Sequence, residues 1–154
     1  MPKLDLDAIP QSNDTGYPAP FNEAVQGRWW RRLAPVIGLT QMGASHVVLK
    51  PGAWSSQRHW HIGEDELVVM LFGEAVLVED EGETVLRAGD VVGWAAGVAN
   101  GHKIENRSDG DCVFVAISAG DRSTGGGYSD IDMMFGDDGY FHKDGTPYPA
   151  TRLK

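Results

Sequence analysis

Between Arg28 and Ala119 the chain is a succession of short apolar runs, rich in Val, Leu, Ile and Trp, with glycine-containing breaks between them. Runs of that length, bounded by Gly, Asp and Asn, predict strands, and no stretch carries the periodicity of an amphipathic helix. Strands are expected over residues 28–35, 44–50, 57–61, 66–72, 74–79, 83–87, 91–94, 101–106 and 112–118. Asp80-Glu81-Gly82 and Arg107-Ser108-Asp109-Gly110 read as tight turns, so neighbouring strands pair antiparallel. The pattern predicts an all-β sandwich or barrel over residues 28–119.

The two ends differ from this middle. Residues 1–27 carry prolines at 2, 10, 18 and 20 and little periodicity, and read as an arm lying on the barrel or on a partner subunit. Residues 120–154 are rich in Gly, Asp and Tyr, with one strand expected near 128–135. They read as a C-terminal extension packing over the barrel or a partner subunit. Gly125-Gly126-Gly127 precedes no helix and carries no lysine, so it is read as turn or flexible tail and not as a phosphate loop.

At 154 residues the chain suits one domain, and its apolar fraction of 42% is enough to bury a core without disulfides. Cys112 is the only cysteine, which fits a reducing compartment and a small buried side chain better than a nucleophile. The start, Met1-Pro2-Lys3-Leu4-Asp5, lacks the basic and apolar regions of a signal peptide, and Leu67 to Phe72 is too short to span a bilayer. A cytoplasmic location is expected. A net charge of −9, from 22 acids against 13 bases, argues against nucleic acid or an anionic membrane as partner.

The chemistry concentrates in Arg58-His59-Trp60-His61-Ile62-Gly63-Glu64-Asp65-Glu66. On a strand, residues i and i+2 share a face about 6–7 Å apart, so His59 and His61 can converge on one ion while Trp60 faces away. Glu66 opens the next expected strand and reaches the same point; Glu64 and Asp65 are its rivals. His102 lies on a later expected strand. Three imidazoles and a carboxylate suit Fe(II), Mn(II), Ni(II), Co(II) or Zn(II), and lack the thiolates of a structural zinc site.

The arrangement resembles the cupin superfamily. Gly52, His59, His61, Glu66 and Gly73 follow its first motif, and Gly89, Gly97, His102 and Asn106 its second. The interval from Gly52 to His59 is one residue longer than usual, Ala95 replaces a turn proline, and Gly97 to His102 is longer by two. Arg58-His59-Trp60-His61, Glu64-Asp65-Glu66 and Phe141-His142-Lys143-Asp144-Gly145-Thr146-Pro147-Tyr148 are similar to small single-domain bacterial cupins that carry a sugar-phosphate-isomerase-like name. The resemblance implies a double-stranded β-helix, or jelly roll, with a divalent metal held inside by His59, His61, Glu66 and His102. It implies a metal-dependent enzyme on a small metabolite, with isomerase, epimerase, lyase or dioxygenase chemistry, or else a non-catalytic barrel that binds or senses a small ligand. A homodimer is expected in each case. Glu64 or Asp65 is a candidate base. His46 is expected to be a hydrogen-bonded barrel histidine and His142 a surface residue. Trp54, Trp60 and Trp94 are expected to serve packing first.

Overall fold

The computed structural model describes residues 3–150. In chain order the strands are β1 (Arg28–Arg32), β2 (Met42–Leu49), β3 (His59–His61), β4 (Glu64–Phe72), β5 (Glu74–Glu79) and β6 (Gly82–Arg87). They continue as β7 (Val91–Trp94), β8 (Lys103–Glu105), β9 (Cys112–Gly120), β10 (Gly126–Tyr128), β11 (Met134–Gly136) and β12 (Gly139–Phe141). Only single turns of 3-10 helix interrupt them among the described residues. The expected strands over residues 74–79 and 91–94 coincide with β5 and β7. The first is shorter than expected, because Pro35 sits in a 3-10 turn, Ala34–Ile37, that ends on Gly38 in the left-handed region.

One layer is a five-stranded antiparallel sheet in the order β1-β2-β9-β4-β7. The other is made of two smaller sheets, β12-β11-β10-β3 and β6-β5-β8. They are stitched together at His59 and His102, whose backbones exchange hydrogen bonds of 3.1 and 2.9 Å. Trp54 and Glu105 form a second bridge beside it. The result is the jelly roll that the cupin resemblance implied, within the all-β class expected from the strand pattern. Its core lies between the layers and includes Leu49, Met70, Leu77, Ile104, Cys112 and Phe114. Each such aliphatic or aromatic side chain, fully buried, contributes about 1.5–3 kcal/mol.

Two motif residues prove structural. Gly73 turns β4 into β5 at φ +77°, and a Cβ there would lie 2.5 Å from the Asp111 carbonyl oxygen. Asn106 is fully buried; its amide donates to the carbonyls of Leu49 and Gly110, and its oxygen accepts from the Ser108 N–H and hydroxyl. It thereby fixes the turn into β9.

The C-terminal segment corrects the expectation of one strand near residues 128–135. β10 and β11 pair as a hairpin, and β10 also pairs with β3, setting Gly126 opposite His61 and Tyr128 opposite His59. The glycine run is therefore largely strand: Gly126 and Gly127 belong to β10. From the other end of the chain, Ser12 bridges to Trp30, and Tyr17 and Val25 join Tyr128 and Met133 in a second buried cluster. No helix among the described residues is long and apolar enough to cross a membrane.

Candidate metal centre and pocket

β3 and β4 bring His59, His61 and Glu66 together, with one potential ligand atom from each within 4.8 Å of the others. The point of convergence is Glu66 Oε2. It lies 2.7 Å from His102 Nε2, 3.3 Å from His61 Nε2 and 3.7 Å from His59 Nε2. Ligands at adjacent corners around an ion, each about 2.1 Å from it, stand roughly 3 Å apart. His59, His61 and Glu66 are thus close enough to hold one ion, whereas His102 lies outside that group of three and meets it at Glu66. The residue-spacing argument works here because β3 is a true strand: its two histidines face inward and Trp60 lies between them on the other side, against Gly127.

The outer ring nitrogens set the tautomers. His59 Nδ1 donates to the Gln57 carbonyl at 3.0 Å, and His102 Nδ1 to the Asn100 carbonyl at 3.3 Å. A carbonyl only accepts, so in the neutral ring each Nε2 is the site turned towards Glu66 that is open to a proton or a metal ion. Both nitrogens of His61 are buried without a hydrogen bond, Nδ1 standing 3.2 Å from Glu64 and Nε2 near Glu66. An orphaned buried imidazole nitrogen beside a carboxylate suits coordination of a cation. The indole of Trp94 stacks on His102 at 3.7 Å and 6° and holds that ring flat. Trp94 is anchored by its own N–H donating to Glu79 at 2.6 Å.

Burial lowers the His59 pKa to about 4, with the neighbouring Glu66 opposing that shift. Burial acts on His61 in the same sense, but Glu66 and Glu64 outweigh it and leave its pKa raised. Burial also disfavours ionised Glu66; the hydrogen bond with His102 and the close imidazoles of His61 and His59 overcome this and hold the carboxyl well below its usual range. The centre thus combines an ionised carboxylate with a neutral His59, while His61 must give up the proton that its carboxylate neighbours favour before it can bind a cation.

The rival acids separate clearly. Glu64 is buried behind His61 and paired with Arg122 at 2.9 Å, whereas exposed Asp65 accepts from the Ala96 N–H at 2.8 Å. His46 departs from expectation: its Nδ1 is buried without a partner, and burial with the nearby Arg31 lowers its pKa. His142 lies apart, 2.9 Å from Asp132 and stacked on Tyr148. Cys112 is fully buried, and burial pushes its thiol up to about 11.

The centre opens into a cavity of about 360 Å³. Val47, Val68 and Phe114 line its core side, and Phe135 its upper side, 5.3 Å from the His61 ring. Lys103 reaches it too, with its ammonium 3.1 Å above the Trp54 ring and 2.6 Å from Glu105. Arg28, Tyr17, Tyr128 and Tyr140 complete the wall. Sequence reasoning did not single out these four. Tyr128 had a partial signal, since it opens the strand expected near residues 128–135; the other three have none that is local. Arg58, adjacent to His59, was also missed as a tether: it holds Asp130 of the C-terminal segment in a two-pronged pair and also contacts Asp80.

The cupin domain family matches residues 45–118. A sugar phosphate isomerase of the cupin superfamily from Silicibacter pomeroyi superposes with a TM-score of 0.90 at 40% identity, over 97% of this chain and 98% of that one. A cupin 2 conserved barrel domain protein from Salinispora arenicola gives a TM-score of 0.56 at 25% identity, over 77% and 87%. A predicted oxalate decarboxylase from Thermotoga maritima gives 0.53 at 26%, over 60% and 79%. Comparison with curated proteins finds no match.

Proposed function

The chain belongs to the cupin superfamily, and on that premise we propose that it is a divalent-metal-dependent enzyme acting on a small metabolite by isomerase-, epimerase- or lyase-type chemistry. His59, His61, Glu66 and His102 are the proposed ligands. The observation that carries the reading is the convergence of three imidazole Nε2 atoms on one oxygen of Glu66. A divalent ion bound there would polarise a carbonyl or hydroxyl oxygen of the ligand. The name borne by the Silicibacter pomeroyi relative supports the reaction class.

The chain's own residues do the rest. Backbone carbonyls at Gln57 and Asn100 hold His59 and His102 in one tautomer, and Glu64 backs His61. Phe135, Val68 and Phe114 give the cavity beside the centre an apolar wall. Burial raises the Tyr128 pKa well above its ordinary value, so its hydroxyl remains protonated and acts as a donor, not a base. We further propose that the protein is a cytoplasmic homodimer, with residues 1–27 and 120–154 as extensions of a barrel at 28–119; light scattering gives the mass that checks the dimer.

The test is elemental analysis of tag-free protein beside a His59→Ala/His61→Ala variant. Near-stoichiometric metal in the parent and none in the folded variant is the expected result. Absence of metal after reconstitution with Fe(II), Mn(II), Ni(II) and Zn(II) refutes it. Turnover of hydroxy-carbonyl metabolites that survives exclusion of oxygen and exchange of Fe(II) for Zn(II) supports Lewis-acid chemistry; strict dependence on oxygen makes the enzyme a dioxygenase instead.

A further inference from the structure

Arg28 is the first residue of β1 and lines the cavity that holds the His59–His61–Glu66 group. One terminal nitrogen donates to the Ser55 carbonyl at 2.7 Å, and its Nε is buried with no partner. Among the described residues no carboxylate pairs with it, burial disfavours its charge, and its ionisable neighbours are the phenols Tyr17, Tyr140 and Tyr128. A guanidinium does not deprotonate in proteins, so this is a cation held in a cavity wall without a counterion. That arrangement is costly unless an anion completes it.

The tyrosines face the same space. The Tyr17 hydroxyl accepts from the Gln57 N–H at 3.3 Å and from the Tyr128 hydroxyl at 3.2 Å, which leaves its own proton available. The Tyr140 ring lies 5.4 Å from that of Tyr17. Burial raises the pKa of all three phenols, so they stay neutral; Tyr128 spends its proton on Tyr17, and Tyr17 and Tyr140 are left to donate into the cavity. The Tyr128 ring is also 6.0 Å from the His59 ring, which puts the cluster next to the proposed metal end of the cavity. On its other side Arg28 borders a second cavity of about 340 Å³, shared with Tyr17, Tyr140, Arg32 and Asp14. Its charged lining is two guanidiniums against one carboxylate, in a chain whose net charge is −9.

We infer that Arg28, with the hydroxyls of Tyr17 and Tyr140, is an oxyanion subsite that takes the carboxylate or phosphate group of the cavity's ligand. The inference deepens the proposed function and rests on its reading of the cavity as the ligand site. The ligand is then bifunctional, with an anionic group at Arg28 and an oxygen function towards Glu66 and the histidines. The planar fork of Arg28 matches two oxygens of either anion.

The experiment is calorimetric titration of chelator-treated protein with inorganic phosphate and, separately, with malonate, at about pH 8 so that ordinary imidazoles are neutral. The expected result is saturable binding of at least one anion, weakened about tenfold or more in Arg28→Gln and severalfold in Tyr140→Phe, and retained in His59→Ala/His61→Ala. Tighter phosphate binding identifies a phosphorylated ligand, and tighter malonate binding an organic acid. Tyr140→Phe carries the test if Arg28→Gln fails to fold. No binding of either anion, or binding unaffected by both variants, overturns the inference. Because the titration uses metal-free protein, its outcome is independent of the metal analysis: anion binding without metal loading would fail the metal reading alone, and the reverse would fail this one alone.

Discussion

Glu66 Oε2 faces three imidazole nitrogens at 2.7, 3.3 and 3.7 Å, two of them left open in the neutral ring by backbone carbonyls on the opposite ring nitrogens. Acceptors so close need a cation among them, either a proton or a metal ion. Glu66→Gln keeps the volume and removes the charge that favours the larger cation. It is expected to fold and to lose metal affinity by at least about 100-fold, measured by competition with a chromophoric chelator. Glu64→Gln acts one step out, through His61, and is expected to cost roughly 10–100-fold in the same assay. The pH dependence follows from the unequal imidazoles. A ligand must lose its proton to bind metal, so protonation competes with loading as pH falls. His61, with its pKa raised above the ordinary 6.5, competes first, whereas His59, near 4, does not compete until far lower. Metal retention on dialysis is expected to be full near pH 8 and to fall on acidification with a slope of about one proton per ion. Retention unchanged down to about pH 5 contradicts this account of His61.

At the scale of elements, the site depends on β3, which is only three residues long and is held from both sides. His102 bonds to it from one side and β10 from the other. That explains the glycine run in physical terms: a Cβ on Gly126 would stand 2.0 Å from the Trp60 carbonyl oxygen. Gly126→Ala is therefore expected to push β10 off β3 and to destabilise the protein by about 1–3 kcal/mol, read from thermal unfolding, with a loss of metal stoichiometry. The histidine pair and Glu66 were legible in the sequence because i and i+2 on a strand share a face whatever the rest of the chain does. The pairing partner of β3 was not. A glycine-rich segment has no side-chain pattern to mark it as strand, and only its fit against Trp60 and Phe135 shows why larger residues are absent.

Across the whole molecule, the barrel was readable from its apolar runs and turns, whereas the way the ends close over it was not. Tyr17 from the N-terminal segment and Tyr128 and Tyr140 from the C-terminal one meet Arg28 of β1 at one wall of the cavity. Residues that distant in the chain share no spacing rule, and each alone reads as a packing aromatic. Their convergence makes the cavity a property of the fold as a whole, joining the N- and C-terminal segments to the barrel. Metal binding should then stabilise the fold as a unit, since the proposed ligands come from β3, β4 and the segment leading into β8 and are brought together only in the folded state. With free metal a thousandfold above its Kd, linkage supplies about 4 kcal/mol. For a single domain of this size that corresponds to a rise in Tm of roughly 8–16 °C. Calorimetry before and after chelation is expected to show that rise in the parent protein and none in His59→Ala/His61→Ala. A variant that responds to metal as the parent does would place the ion elsewhere, and with it the chemistry assigned to Glu66 and its three imidazoles.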